Sequence, residues 1–382
     1  MPKVSIVSCN SYEEAAAGRS VKDALSLIGG MDSFIKPGKK ILLKPNALMA
    51  LDPKTACSTH PSIVKAVAKE ILDLGSIPVI GDSPGGAETD FNNVFEVCGY
   101  NKIAKELGIE TVDLKKIPIT NVEIKTKQKT ITVPVADLNN RFDAVINLPK
   151  LKTHVLTVMT GAVKNMFGSV PGYSKSKLHF IAPDIDDFCS VLLGVYENTM
   201  PVLTIMDAVE SMEGNGPSGG QAKKTDTIFA SFDGIALDVV SAFCAGFAAS
   251  KIPILEAAKM SGFETDINKI ETVGRALEEN IFHGFRKPVS VYGITKKLPP
   301  LLIEAFGTSL RNINNYPQID RNICAECQTC VKNCPAKCIT VVKNLKYDIN
   351  YSKCVACFCC HEMCPEKAVK IKKSFLARIL RL

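Results

Sequence analysis

Nowhere in the 382 residues does an apolar run approach the roughly 20 residues that span a bilayer, although 46% of the chain is hydrophobic. A membrane-embedded class is thereby excluded, and the apolar content points to an ordinary globular core. The opening residues, MPKVSIVSCNSYEE, lack the uninterrupted apolar stretch of a secretory signal, so a cytoplasmic location is expected. No GxGxxG follows the first predicted strand, which removes the usual nicotinamide or flavin fingerprint. The first 317 residues also lack any charge excess, with 34 Lys and Arg against 34 Asp and Glu.

Cysteine, by contrast, is abundant, and ten of the fifteen fall in the last sixty residues. Cys324, Cys327, Cys330 and Cys334 read C-x2-C-x2-C-x3-C-P, and Cys354, Cys357, Cys360 and Cys364 repeat the run thirty residues on. A thiolate run of this spacing gives three ligands to one iron–sulfur cube and the fourth to its neighbour, so two 4Fe–4S clusters are expected. Zinc sites use paired C-x2-C units but need neither the third cysteine nor the Cys-Pro ending. Disulfides are not expected in a reducing cytosol. The whole net charge of +7 sits in residues 318–382, with 12 basic and 5 acidic side chains. Two clusters at about −2 each would bring the net charge to about +3. The lysines therefore offset cofactors or steer an acidic redox partner rather than bind nucleic acid.

The length fits one large domain and a minor one. Strand and helix signals alternate through the first three hundred residues: strands at 4–8, 40–44, 77–81, 144–148, 202–206 and 228–232, helices at 12–28, 59–74, 91–107 and 235–247. Residues 122–135 alternate as a hairpin, while 144–148 and 202–206 are continuous apolar runs of the buried parallel kind. The expected fold is α/β, a mostly parallel sheet with flanking helices over 1–315. A small α+β segment over 316–373 and a basic amphipathic tail over 374–382 (within SFLARILRL) complete the chain. A linker rich in Pro, Asn and Gly precedes the first cluster cysteine.

Four segments gather polar chemistry at predicted strand ends, where open α/β sheets bind ligands. Lys44 and Asn46 follow the KILL strand. Asp82, Ser83, Gly85 and Gly86 form a glycine-rich turn whose amides can make an anion nest, though without P-loop spacing. Lys150, Lys152, His154, Lys164 and Asn165 are the densest group, placed for an anionic substrate or a flavin phosphate. Asp207 and Glu210 precede a glycine-rich loop, 214–220, suited to a lid or to metal and acid–base work. His60 caps a helix or takes part in catalysis, with Thr59 the other cap candidate. Of the cysteines outside the repeat, Cys338 reads as a small core residue and Cys359 as a neighbour tuning the ligands' surroundings rather than a ligand, while Cys57 receives no role.

Residues 323–343 align on 353–373, and this segment resembles a bacterial-type two-cluster ferredoxin. That resemblance implies one cluster on Cys324, Cys327, Cys330 and Cys364 and the other on Cys354, Cys357, Cys360 and Cys334. In order along the chain, LLKPN, THP, GDSPGG, NLPKLKTH, GAVKNMFG and DAVESMEGNGPSGG resemble the motifs of the domain-of-unknown-function 362 family. The resemblance implies cytoplasmic iron–sulfur proteins of anaerobic bacteria and archaea and names no substrate. Two readings follow. One is a reductase-like enzyme delivering low-potential electrons to the α/β domain, with a flavin or divalent metal as a further cofactor. The alternative is an electron-transfer or maturation protein whose α/β domain docks a partner.

Overall fold

A computed structural model describes residues 1–86, 88–290, 315–342 and 346–372. Its centre is a sheet whose strands, in chain order, are β1 (Lys3–Ser8), β2 (Lys40–Pro45), β3 (Ile77–Asp82), β4 (Glu110–Asp113), β7 (Ala144–Leu148), β8 (Lys150–His154), β9 (Val158–Thr160), β10 (Leu203–Glu213), β11 (Gln221–Ser231) and β12 (Glu271–Gly274). The spatial order is β12-β1-β11-β10-β7-β2-β3-β4, with β8 pairing β10 and β9. The run β10-β7-β2-β3-β4 is parallel throughout, and β11 lies antiparallel between β1 and β10. The expected mostly parallel α/β sheet is therefore present. The hairpin β5 (Ile119–Lys125) and β6 (Thr130–Ala136) forms a separate two-stranded sheet, as its alternation predicts.

Helices cover both faces, which is why the central strands read as unbroken apolar runs. Ile41 and Leu43 of β2 pack with α1 (Glu14–Leu27), α2 (Pro61–Asp73), α3 (Phe91–Val97) and α4 (Tyr100–Leu107). Leu42, between them, faces the opposite core with α5 (Ala162–Asn165), α7 (Ile185–Asn198), α8 (Gly234–Cys244) and α9 (Pro253–Met260). A short α6 (Ser174–Ile181) precedes α7. Among the described residues no helix is long and apolar enough to cross a membrane.

Three expectations change. The helix read over 91–107 is two helices, because Gly99 takes a φ of 80° against Pro61 and breaks it. The strand expected to end at 206 runs on to Glu213, so Asp207 and Glu210, expected between it and the glycine-rich loop, lie within β10. Thr59 does not cap α2: His60 does, its Nδ1 accepting from Ser62 N at 3.2 Å, while the Thr59 hydroxyl donates to Leu148 O.

The cysteine-rich segment is doubly repeated. Strand β13 (Tyr316–Ile319), helix α10 (Thr329–Lys332) and β14 (Ile339–Val342) recur thirty residues on as β15 (Lys346–Ile349), α11 (Cys359–Glu362) and β16 (Val369–Lys372). Even the left-handed residues recur, Glu326, Gln328 and Lys337 matching Ala356, Phe358 and Lys367. Strands pair across the halves, β13 with β16 and β14 with β15. The linker expected over 296–322 lies outside the described residues as far as 314, and its end is not linker, since Tyr316–Ile319 form β13; the tail at 374–382 is also outside the described residues.

Candidate functional site

The C-terminal ends of β2, β3 and β7 lie side by side, Lys44 beside Asn147 and Pro45 beside Leu148. Lys44 is fully buried, and its ammonium sits 2.7 Å from Asp82 Oδ1. Asp82 also accepts from Ser83 N and, through Oδ2, from Ala47 N. Burial lowers the pKa of Lys44 and Asp82 opposes that. The pair is roofed by Gly168, where a Cβ would collide with both the carboxylate and the ammonium. The nest expected at 81–86 is largely committed elsewhere, since Gly85 N donates to Leu48 O and Ser83 N to Asp82.

An asparagine chain fixes the next layer. Asn147 Nδ2 donates to Ala162 O, Asn165 Nδ2 to Asn147 Oδ1 and Lys44 O, and Asn46 Nδ2 to Asn165 Oδ1. Two backbone carbonyls anchor the chain, so every amide orientation in it is determined. Asn46 Oδ1 is left buried without a protein partner.

These groups border a cavity of about 80 Å³. Three lysines reach it. Lys152 is 1% exposed, donates to Cys57 O at 2.6 Å, and is held by burial at a pKa of about 8. Lys175 binds the Ser83 backbone oxygen and hydroxyl, and burial brings it to about 7. Lys164, on α5, has no hydrogen-bond or ion-pair partner among the described residues, and burial lowers its pKa too. The floor of the crevice comes from the cysteine-rich segment: Cys359 and Glu362 of α11, and Met363 after it.

Two histidines back the crevice. His154 Nδ1 accepts from Leu156 N and Thr157 N, so the neutral ring carries its proton on Nε2, 2.9 Å from Glu362 Oε1. That contact is close but poorly aligned as a hydrogen bond. Burial raises the pKa of Glu362, but His154, Lys164 and His179 outweigh it and leave the carboxyl below its usual range. Burial holds His154 at about 4 and His179 at about 3. His179 stacks on Phe188 with centroids 4.1 Å apart. Below pH 6.5 an unfolded histidine takes up a proton that folded His179 refuses, so stability is present above that pH and lost as pH falls. Replacing His179 with Phe is expected to reduce the stability lost between pH 7 and pH 5 by about 2 kcal/mol in urea melts.

Lys150 and Asp207 do not line the cavity. They form a separate ion pair, both fully buried, at 2.9 Å. Asp207 also accepts from Tyr12 OH, His60 N and Val209 N, and Tyr12 stacks on His60. Both carboxylates expected to serve a divalent metal, Asp82 and Asp207, are therefore neutralised by lysines. The loop at 214–220 is a wedge rather than a lid: Gly216 O accepts from Val155 N, and Ser218 Oγ donates to Glu362 O.

The cysteine-rich segment holds two apolar hollows. Cys324, Cys327, Cys330 and Cys364 line one, with Tyr347 and Ala368. Cys334, Cys354, Cys357 and Cys360 line the other, where Cys338 stands in place of Ala368 with its Sγ 3.4 Å from Cys334 Sγ. Cys327 is exposed, whereas Cys360, in the second hollow, and the non-repeat Cys359, on the crevice, are buried.

The fold thus brings Asn46, Asp82, Ser83, Gly85, Gly86, Lys152, Lys164 and Asn165 to one cavity, with Lys44 directly behind it. Sequence reasoning missed Lys175, Thr160, His179 and Glu362. Glu362 alone left a signal, being a carboxylate where the first repeat has Lys332.

Comparison with known proteins places the chain. Residues 41–243 match the family described as Domain of unknown function (DUF362), a span that stops before the cysteine-rich segment. A thylakoid-associated protein of Synechocystis sp. is 32% identical over 304 residues, covering 79% of this chain and 93% of that protein. The lactate racemase apoprotein from Thermoanaerobacterium thermosaccharolyticum is a distant structural neighbour, with a TM-score of 0.42 and 12% identity over 65% of this chain. The chain spans 57% of that structure's length, and the likeness is too remote to carry function. With more than half its length in the matched span and a relative of this similarity, the chain belongs to the DUF362 family.

Proposed function

We propose that the chain is an iron–sulfur protein that delivers electrons to an anion held in the lysine-lined crevice. The single observation carrying this reading is that helix α11 serves both places: Cys360 faces the second hollow, while Cys359 and Glu362 line the crevice. The donor set fits two 4Fe–4S clusters, because each hollow collects four thiols within apolar walls in the crossed pattern that the ferredoxin resemblance implies. The repeated left-handed residues turn the backbone around each hollow alike. When bound, such clusters would supply electrons singly at low potential.

The protein's own residues supply the rest. Lys152, Lys164 and Lys175, protonated together once an anion lies among them, stand against the one carboxylate of Glu362, since Lys44 and Asp82 cancel. Among side chains as buried as Lys152 and Glu362 that excess favours an anion strongly. Phe167, Pro217 and Met363 give the remaining walls an apolar character. A redox partner would reach the first hollow at the exposed Cys327, on the basic segment.

Anaerobic purification with iron and sulfide analysis tests the reading, and about eight irons and eight sulfides per chain are expected. An anion that shifts the reduction potential of the bound iron would support delivery into the crevice. Eight irons with no response to any anion would instead favour the electron-transfer or adaptor role. Zinc without sulfide would remove the proposal altogether.

A further inference from the structure

Resting on the crevice being an anion site, we propose that its ligand is a small dianion carrying one hydroxyl group, of the hydrogen-phosphate or hydroxydicarboxylate kind. Charge sets the first half. Beyond the Lys44–Asp82 pair, three lysines face one carboxylate, and burial lowers the pKa of each. A bound dianion is what holds all three protonated, an excess charge of about two in the occupied site. Lys164 makes no hydrogen bond or close ion pair among the described residues, and Glu362, the one carboxylate it shares the crevice with, acts on it at longer range. A cavity of about 80 Å³ limits the ligand to a few heavy atoms in this conformation.

Two orphaned oxygens set the second half. Asn46 lines the cavity, and its Oδ1 lacks a donor. Its amide cannot be turned to offer nitrogen instead, because Asn165 Oδ1 already requires the Asn46 NH2, and Asn165 is fixed in turn by Lys44 O. An amide oxygen accepts only, so it asks for an O–H or N–H from the ligand. An ammonium N–H on the ligand would add a positive charge to a site already short of negative charge, and an amide N–H would need more atoms than an O–H in a cavity this small, so the donor proposed is an O–H. The second orphan is Thr160 Oγ1, in a residue 4% exposed on the same wall. Its hydroxyl can donate to the anion. A buried polar group left unpaired costs about 1–3 kcal/mol, so a dianion without the hydroxyl forfeits that much.

The test is calorimetry on the full chain, purified anaerobically with its iron, at a pH of about 8 where inorganic phosphate is the hydrogen-phosphate dianion. Phosphate is compared with sulfate, and hydroxymalonate with malonate. In at least one pair the hydroxyl-bearing anion is expected to bind about tenfold to a hundredfold tighter. Preference within the first pair assigns an oxyanion, and within the second a hydroxydicarboxylate. Asn46→Ala should abolish that preference while dianion binding persists, and Lys164→Met should weaken both members of the preferred pair. Thr160→Val, at an unchanged melting temperature, should weaken both members equally and keep the preference, which guards against a misfolded Asn46 variant. Equal binding of sulfate with phosphate and of malonate with hydroxymalonate would overturn the hydroxyl requirement while leaving the anion site standing. Failure of all four anions to bind would remove the inference together with the site, whatever the iron content proves to be.

Discussion

Asp207→Ala is expected to destabilise the folded chain by about 3–5 kcal/mol, a large share of the roughly 5–15 kcal/mol that holds a domain together. The reason is the company Asp207 keeps. Its carboxylate, with no exposed surface, takes hydrogen bonds from Lys150 Nζ, Tyr12 OH, His60 N and Val209 N. Removing it strands a buried ammonium and leaves a tyrosine hydroxyl and two backbone amides without an acceptor. Lys150→Met should cost distinctly less, because the remaining carboxylate keeps three donors and the thioether fills similar volume. Urea denaturation gives the comparison directly, as a lower midpoint with an unchanged slope for each variant. Equal losses in the two variants would mean that the pair, not the four-donor carboxylate, carries the energy. The site lies where β10 leaves β7 and pairs with β8, so its cost also measures how firmly β8 and the crevice wall are held.

The central strands were legible because burial on both faces turns them into apolar runs, as in KILLK and AVINL. The crevice was half legible: the residues contributed by strand ends carry turn glycines and asparagines that mark them. Lys175 and His179 carry no such mark, since a lysine and a histidine on a short helix look like surface until tertiary packing half-buries the first and buries the second. The pairing of Lys150 with Asp207 was hidden for another reason. It depends on β8 lying beside β10, a contact between residues 57 apart that no local pattern encodes. The thirty-residue cysteine repeat was fully visible, but its orientation was not. That the second half, rather than the first, turns toward the crevice follows from Glu362, Met363 and Ser218 meeting across the junction.

That orientation makes Cys364 the residue whose loss should reach furthest. It lines the first hollow with Cys324, Cys327 and Cys330, yet lies two residues past the end of helix α11, whose Cys360 lines the second. Cys364→Ala therefore removes one thiol from the first set and loosens the turn that carries the other. Cys364 Sγ also accepts from Ala368 N, a bond that fixes the approach to β16 and so the pairing with β13. Iron content is expected to fall well below half of the parent value rather than to half, since neither cluster would have an independent frame. Glu362 and Met363 precede Cys364 directly, so phosphate or hydroxymalonate binding in the crevice should weaken in the same variant although no lysine has changed. Cys327→Ala provides the contrast: its thiol is exposed and belongs to the first half of the repeat, none of whose described residues lines the crevice, so the iron of the first hollow should suffer while anion binding holds. If Cys364→Ala retained half its iron and full anion affinity, the two halves would be separate electron carriers and the crevice would not depend on the cysteine-rich segment. The predicted pattern, both losses in Cys364→Ala and one in Cys327→Ala, would instead tie the electron carrier to the anion site through a single turn of backbone.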